Sequence, residues 1–187
     1  MAALEEGSID KNFTYTDTGV IKIGDYSYSN WFFTENGRTE GSINLTRAIA
    51  RSTDTFFYTI GQMVGPDKIA KWADSFGLNS QTGIDIPGEV KGLIPTPQWK
   101  KETKDESWFL GNTYHMSIGQ GDVSLTPIEV NNYIATIANN GKLCTPRFAA
   151  EESGISNFQF PISNCKQMPA SQSNLDLVKE GMIEACT

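Results

Sequence analysis

The sequence predicts an α+β domain in which helices predominate. Helix-period apolar spacing runs on both sides of Arg51-Ser52-Thr53-Asp54 and returns in "TPIEVNNYIATIANNG". Pro66 and Pro127 stand at the first positions of helical segments and Gly77 at the end of one, where capping stereochemistry favours them. Strand-like alternation is confined to short stretches such as "GVIKIGDY", inside a segment rich in Thr, Tyr, Gly and Asn.

Taken in order, "MAALEEGSIDK" reads as the tail of a helix, with Ala2, Ala3 and Leu4 closed by Gly7 as a C-cap. Residues 8–41 read as loop and short strands, and "YSYSNWFFTENGRTEG" ends in two turn signals, Asn36-Gly37 and Glu40-Gly41. A helix starts near Ser42 or Asn44, with Leu45, Ala48 and Ile49 on one face. After Ser52-Thr53-Asp54 a second helix follows, striped by Phe56, Phe57, Ile60 and Met63. "GPDKIAKWADSFG" is a third, with Pro66 at its first position and Gly77 at its end. "TGIDIPGEVKGLIPTP" is loop. In "TPIEVNNYIATIANNG", Thr126 caps, Pro127 opens and Glu129 completes a capping box. Asn174 opens a last helix. No repeat or low-complexity segment is visible.

Composition excludes several function classes. The net charge is −7 with no run of five like charges, so the chain lacks the basic face that nucleic acid requires. It contains neither an apolar run of transmembrane length nor a signal-peptide pattern. Both ends lie inside helical patterns, and the expectation is a chain cut at both ends. Cys144, Cys165 and Cys186 have no metal-site spacing; one disulfide and one free thiol would suit an oxidising compartment. His115 is the only histidine, so a Ser-His-Asp triad or a zinc site would rest on one imidazole. A packed structural role is expected for it.

Ser52-Thr53-Asp54 has two readings. Their oxygens suit a helix cap, accepting backbone N–H groups that the helix start leaves unpaired. Alternatively the trio is delivered to an active site. The string S-x-[ND] does not choose, since it also occurs at Ser8-Ile9-Asp10 and Ser42-Ile43-Asn44.

A second passage does choose. "HMSIGQGDVSLTPIEVNNYIATIANNG", following "EGSINLTRAIARSTDTFFYTIG", resembles the transpeptidase domain of class B penicillin-binding proteins, most of all the elongation-type penicillin-binding protein 2 group. "AALEEGSID" is similar to the segment after that family's nucleophile helix. "FGLNSQTGIDIPGEVKGLIPTPQWK" is similar to its Gly-Pro-rich region, and "NLDLVKEGMIEACT" to the helix before its last motif. The resemblance covers essentially the whole chain. It implies a peptidoglycan D,D-transpeptidase, a serine acyl-transfer enzyme acting on D-Ala-D-Ala stem peptides and acylated by β-lactams, with no cofactor or metal.

The family's three motifs are S-x-x-K, S-x-N and K-T/S-G. The resemblance maps Ser52-Thr53-Asp54 onto the second, with Asp in the Asn position. Ser52 and Asp54 are then catalytic: Ser52 relays a proton to the departing amine, and Asp54 hydrogen-bonds the catalytic lysine and the peptide backbone. Thr53 is assigned to substrate binding. Gly119, Gln120 and Gly121 form a supporting loop under the K-T/S-G strand, although glycines at 119 and 121 could equally serve only a tight turn. Trp31, Phe32 and Phe33 are expected as core or cleft wall. Asp85 and Glu89 are not paired as acid and base.

No K-[ST]-G string occurs. S-x-x-K occurs at Ser8-Ile9-Asp10-Lys11 and Ser163-Asn164-Cys165-Lys166, and neither sits at a helix start as an activated serine requires. The resemblance therefore places the nucleophile upstream of Met1 and K-T/S-G beyond Thr187. The expected fold is part of the β-lactamase/transpeptidase-like architecture, mainly its helical subdomain, with most of the central antiparallel sheet missing. Residues 1–187 form one partial transpeptidase domain on this reading. At roughly 25 cal/mol per Å² of apolar surface left uncovered, the chain alone is expected to be marginal and catalytically inert. The resemblance further implies an extracytoplasmic, periplasmic location on an upstream membrane anchor, and a partner glycosyltransferase that is lipid-linked. Two other readings stay open at this level: a β-lactam sensor domain, and an interaction protein that lost its nucleophile.

Overall fold

The computed structural model describes residues 1–148 and 164–187. Helix α1 (Ala2–Glu5) stops at left-handed Gly7. Ser8 N–H donates to Ala3 O at 2.9 Å and Gly7 N–H to Leu4 O at 3.1 Å. This bond pair is the Schellman stop, so Gly7 ends the helix as its position in the sequence predicts.

Strands β1 (Thr14–Thr16), β2 (Val20–Ile23) and β3 (Tyr26–Ser29) follow, with β2 and β3 forming a hairpin from Val20↔Ser29 to Ile23↔Tyr26. The sequence reading of loop and strand fails at residues 31–36, which form helix α2 (Trp31–Asn36). The Asn30 side chain caps it, accepting from Phe33 N–H at 2.8 Å, and Gly37 ends it in the left-handed region. The Asn36-Gly37 signal is thus a helix stop, not a hairpin turn. Strand β4 (Ser42–Asn44) pairs antiparallel with β1, and Asn44 then caps α3 (Leu45–Arg51) by accepting from Arg47 N–H at 3.0 Å. Of the two expected starts, Asn44 is the cap and Ser42 belongs to the strand.

Helices α4 (Asp54–Val64) and α5 (Pro66–Ser75) occur where expected, with Pro66 at the start of α5 and left-handed Gly77 after its end. The expected stripe of α4 is corrected: Met63 is 51% exposed, and the buried face carries Thr55, Phe56, Tyr58, Gly61 and Val64. Helices α6 (Pro97–Lys104) and α7 (Leu110–Ser117) lie where the sequence showed no readable period. Each is eight residues long, about two turns, too few to establish a stripe. Helix α8 (Pro127–Ala138) carries the expected capping box: Glu129 Oε2 accepts from Thr126 N–H at 2.7 Å, and Thr126 Oγ1 accepts from Glu129 N–H at 3.3 Å. Strands β5 (Lys142–Cys144) and β6 (Cys165–Gln167) pair antiparallel and are joined by the Cys144–Cys165 disulfide; Cys186 is free. The last helix, α9 (Gln172–Glu184), starts at Gln172 rather than Asn174. Asn174 instead donates to Glu5 Oε1 at 3.0 Å, tying α9 to the chain start.

The architecture is α+β. Among the described residues the sheets are three separate two-stranded pairs, and helices supply the core. Ile43, Leu45, Ala48, Phe56, Ile137 and Leu175 are buried together, so β4, α3, α4, α8 and α9 share one apolar centre. Helix α4 lies against α7. Tyr58 stacks on Tyr114 with ring centroids 5.1 Å apart, and Gly61 faces Ser117. A Cβ at Gly61 would sit 2.7 Å from Ser117 Cβ. Gly→Ala inside a helix ordinarily stabilises by about 1 kcal/mol, but here overpacking reverses the sign. Gly61→Ala is expected to cost about 1–3 kcal/mol in denaturant unfolding, with Ser117→Gly recovering most of it.

Candidate active site

The Ser52-Thr53-Asp54 trio occupies the break between α3 and α4. Ser52 N–H donates to Ile49 O at 3.1 Å and Thr53 N–H to Ala48 O at 3.0 Å, a second Schellman stop. Ser52 stands at its left-handed position, with φ 50° and ψ 51°, where glycine is usual. A side chain held there costs roughly 1–2 kcal/mol, and the Ser52 side chain lies on the exposed surface. This corrects the simple cap reading: Ser52 ends the preceding helix instead of capping the next. Thr53 occupies the N-cap position of α4, but its hydroxyl makes no cap bond. That hydroxyl is buried with no hydrogen-bond partner among the described residues, on a residue 2% exposed. Asp54 is the first residue of α4, half-buried, and its Oδ2 accepts from Trp31 N–H at 3.3 Å. Burial raises the Asp54 pKa above the ordinary carboxylate value, against the pull of that N–H.

A buried carboxylate lies beneath this turn. Asp17 is 3% exposed. Its two oxygens accept from Asn30 Nδ2 at 2.8 and 2.9 Å, Thr55 Oγ1 at 2.7 Å, Gly19 N–H at 2.9 Å and Glu40 N–H at 2.9 Å. Burial pushes its pKa up, but the bonds from Glu40, Thr55, Gly19 and Asn30 outweigh that and hold it below the usual range. The same Asn30 caps α2, so Asp17 links α2 to the first turn of α4. Trp31 and Phe32 lie beside the turn, with the Arg51 guanidinium 5.1 and 5.3 Å from their ring centroids. Arg51 is in turn ion-paired to Glu40 at 2.8 Å. Sequence spacing gave no hint of Asp17 or Glu40; the cap pattern of Asn30 was the available signal.

Gly119, Gln120 and Gly121 lie elsewhere. Gly119 is the left-handed stop of α7: Gln120 N–H donates to His115 O at 2.8 Å and Gly119 N–H to Met116 O at 3.1 Å. Tyr58 faces Tyr114 and Gly61 faces Ser117, so α4 and α7 run side by side in the same direction. The Gly-Gln-Gly loop therefore sits at the Val64 end of α4, about 15 Å of helix from Ser52. Asp122 anchors the loop to α6 through Lys104 at 2.5 Å and Lys100 at 3.7 Å. Gly121 is packed on His115, which lies 5.7 Å from Tyr28 ring to ring.

Other sequence candidates fall outside this site. Ser8 and Lys11 lie in the turn after α1, not on a helix. Ser163 lies outside the described residues, and Lys166 is exposed on β6. Asp85 accepts from Phe148 N–H at 2.6 Å, whereas Glu89 binds Thr82 N–H at 2.7 Å and Gly83 N–H at 3.0 Å, organising its own loop. Among the described residues no group of His, Cys, Asp and Glu could hold a metal ion.

Residues 1–186 match the family described as the penicillin binding protein transpeptidase domain. The chain is 33% identical over 160 residues to the peptidoglycan D,D-transpeptidase MrdA of Acinetobacter baumannii, covering 84% of this chain and 23% of that protein. Identity is 38% over 157 residues to MrdA of Salmonella typhimurium, covering 82% and 25%. The chain thus spans about a quarter of the length of these relatives. The penicillin-binding protein PBP2 of Helicobacter pylori, solved in complex with MreC, superposes with a TM-score of 0.86 at 30% identity over 100% of this chain and 33% of that one. The chain belongs to the penicillin-binding protein transpeptidase domain family, with its relatives in the penicillin-binding protein 2 group.

Proposed function

We propose that these residues are the central part of a peptidoglycan D,D-transpeptidase, and that Ser52 and Asp54 are its second catalytic motif. The observation that carries this is Ser52 itself. A serine stands in a left-handed position that glycine would fill with less strain, and its side chain lies at the exposed surface between two helices. In this reading Ser52 passes a proton to the departing D-alanine amine or the opened lactam nitrogen. Asp54 receives the catalytic lysine and the peptide backbone. Burial raises its pKa, and a lysine brought beside it would favour its charged form. Thr53 is assigned to the substrate side by its place in the motif; its own hydroxyl is buried, and the described residues leave it unpaired. Gly119, Gln120 and Gly121 act at a distance, through the α7–α4 packing.

The nucleophile and the K-T/S-G motif are supplied from outside these 187 residues on this reading. An apolar groove of about 520 Å³ between α1, α4, α5 and α8 supports it, being lined by Leu4, Ile60, Phe76 and Ile137, with Ile134 of α8 at its exposed edge. The Cys144–Cys165 disulfide supports an extracytoplasmic location, because such bonds persist in oxidising compartments. Among the described residues no helix is long and apolar enough to cross a membrane, and the anchor is assigned to the full-length protein. Its proposed partners are the stem peptide, β-lactams and a lipid-linked glycosyltransferase of the cell-shape machinery.

Labelling with a fluorescent penicillin tests this. The full-length protein should form a covalent adduct, and residues 1–187 alone should form none. An adduct on the short chain would place a working nucleophile within it and overturn the assignment.

A further inference from the structure

Trp31 touches both sides of the Ser52–Thr53 turn. Its indole N–H donates to Arg51 O at 2.8 Å, at the last residue of α3. Its backbone N–H donates to Asp54 Oδ2 at 3.3 Å, at the first residue of α4. The ring packs under the Arg51 guanidinium. Trp31 cannot drift, because Asn30 beside it is buried and fixed to Asp17, while Arg51 above it is fixed to Glu40. The Glu40 N–H is held by Asp17 as well, so the bracket closes on itself.

We infer that Trp31 is a positioning residue for the second motif, bridging Arg51 and Asp54 so that the left-handed Ser52 is held at one orientation. The inference rests on the proposed transpeptidase reading. Trp31 itself is 37% exposed, yet both of its polar groups are spent on the turn. One face of its ring is moreover covered by the Arg51 guanidinium, 5.1 Å from the centroid. Trp31 is also the first residue of α2, where proline is well tolerated because its missing N–H would have no helical partner. That position allows the two contacts to be separated. Trp31→Ala removes the indole and keeps the N–H, Trp31→Phe keeps a ring without the indole donor, and Trp31→Pro removes indole and N–H together.

The experiment uses the full-length protein and a fluorescent penicillin, resolving non-covalent binding from the acylation step. Trp31→Ala and Trp31→Phe should lower the acylation rate constant about tenfold to a hundredfold, with non-covalent Kd changed less than about threefold. Trp31→Pro should be slower still. Its acidic limb should lie at higher pH than that of Trp31→Ala, because a carboxylate that loses an N–H donor binds its proton more tightly. The other titratable groups around the turn are Arg51, Glu40, Asp17, Tyr28, Tyr58, Tyr114 and His115, and all are common to both variants. A double-mutant cycle in melting temperature, Trp31→Pro with Asp54→Ala, should be non-additive, since each change alone removes the Trp31 N–H to Asp54 bond. Unchanged acylation, a loss confined to Kd, or an additive cycle would overturn the positioning role. If the unsubstituted protein forms no adduct, the transpeptidase reading fails, and the melting cycle still decides whether Trp31 braces Asp54.

Discussion

Replacing Ser52 by alanine in the full-length protein is expected to slow penicillin acylation and stem-peptide transfer about 10²–10⁴-fold, the range for loss of a positioned proton-transfer group. Stability should hardly move, because alanine and serine carry the same Cβ into the left-handed position. Ser52→Gly separates chemistry from strain. It should be as slow as Ser52→Ala, yet more stable by about 0.5–1 kcal/mol, since relief of the Cβ clash exceeds the added backbone entropy of glycine. Stopped-flow acylation and denaturant melts on the three proteins would show this. An alanine variant acylated at the parental rate would remove Ser52 from the mechanism. A glycine variant less stable than alanine would show that the position carries no strain.

Asp17→Ala is expected to cost about 3–4 kcal/mol of stability. It strands the N–H groups of Gly19 and Glu40, the Thr55 hydroxyl and the Asn30 amide together. Asparagine is no rescue, since its NH₂ would turn a donor toward donors. The pH dependence follows from the depressed Asp17 pKa. Its contribution to stability is complete above the unfolded carboxylate value of about 3.9 and is lost as pH falls through the lower folded value. The parental melting temperature should therefore drop in acid by more than that of Asp17→Ala. Parallel acid limbs in melting curves measured against pH would refute the assignment. Because Asp17 also fixes Asn30, and through it the α2 start, its loss should reach the Trp31 contacts on the Ser52–Asp54 turn.

The sequence by itself determined what depends on near neighbours. The helix start at Thr126 was legible, and that of α3 to within two residues, because a cap and the backbone N–H it accepts from lie within one turn; the start at Pro66 was legible because proline fits the first helical position. The stops at Gly7 and Gly77 were legible because few other residues adopt φ > 0. Family membership was legible as well, since long composite passages carry more information than any three-residue motif. The helix at residues 31–36 was not, because a short helix with no buried residue shows no stripe, and its Asn-Gly stop is also a hairpin signal. Tertiary structure decided the site. Asp17, Asn30, Glu40, Trp31 and Asp54 come together from four stretches of chain, and what joins them is hydrogen bonding across folded segments rather than any spacing. It also decided that Ser52 ends one helix instead of starting the next. That choice depends on which carbonyls Ser52 and Thr53 meet, Ile49 and Ala48, and only the packed chain fixes them.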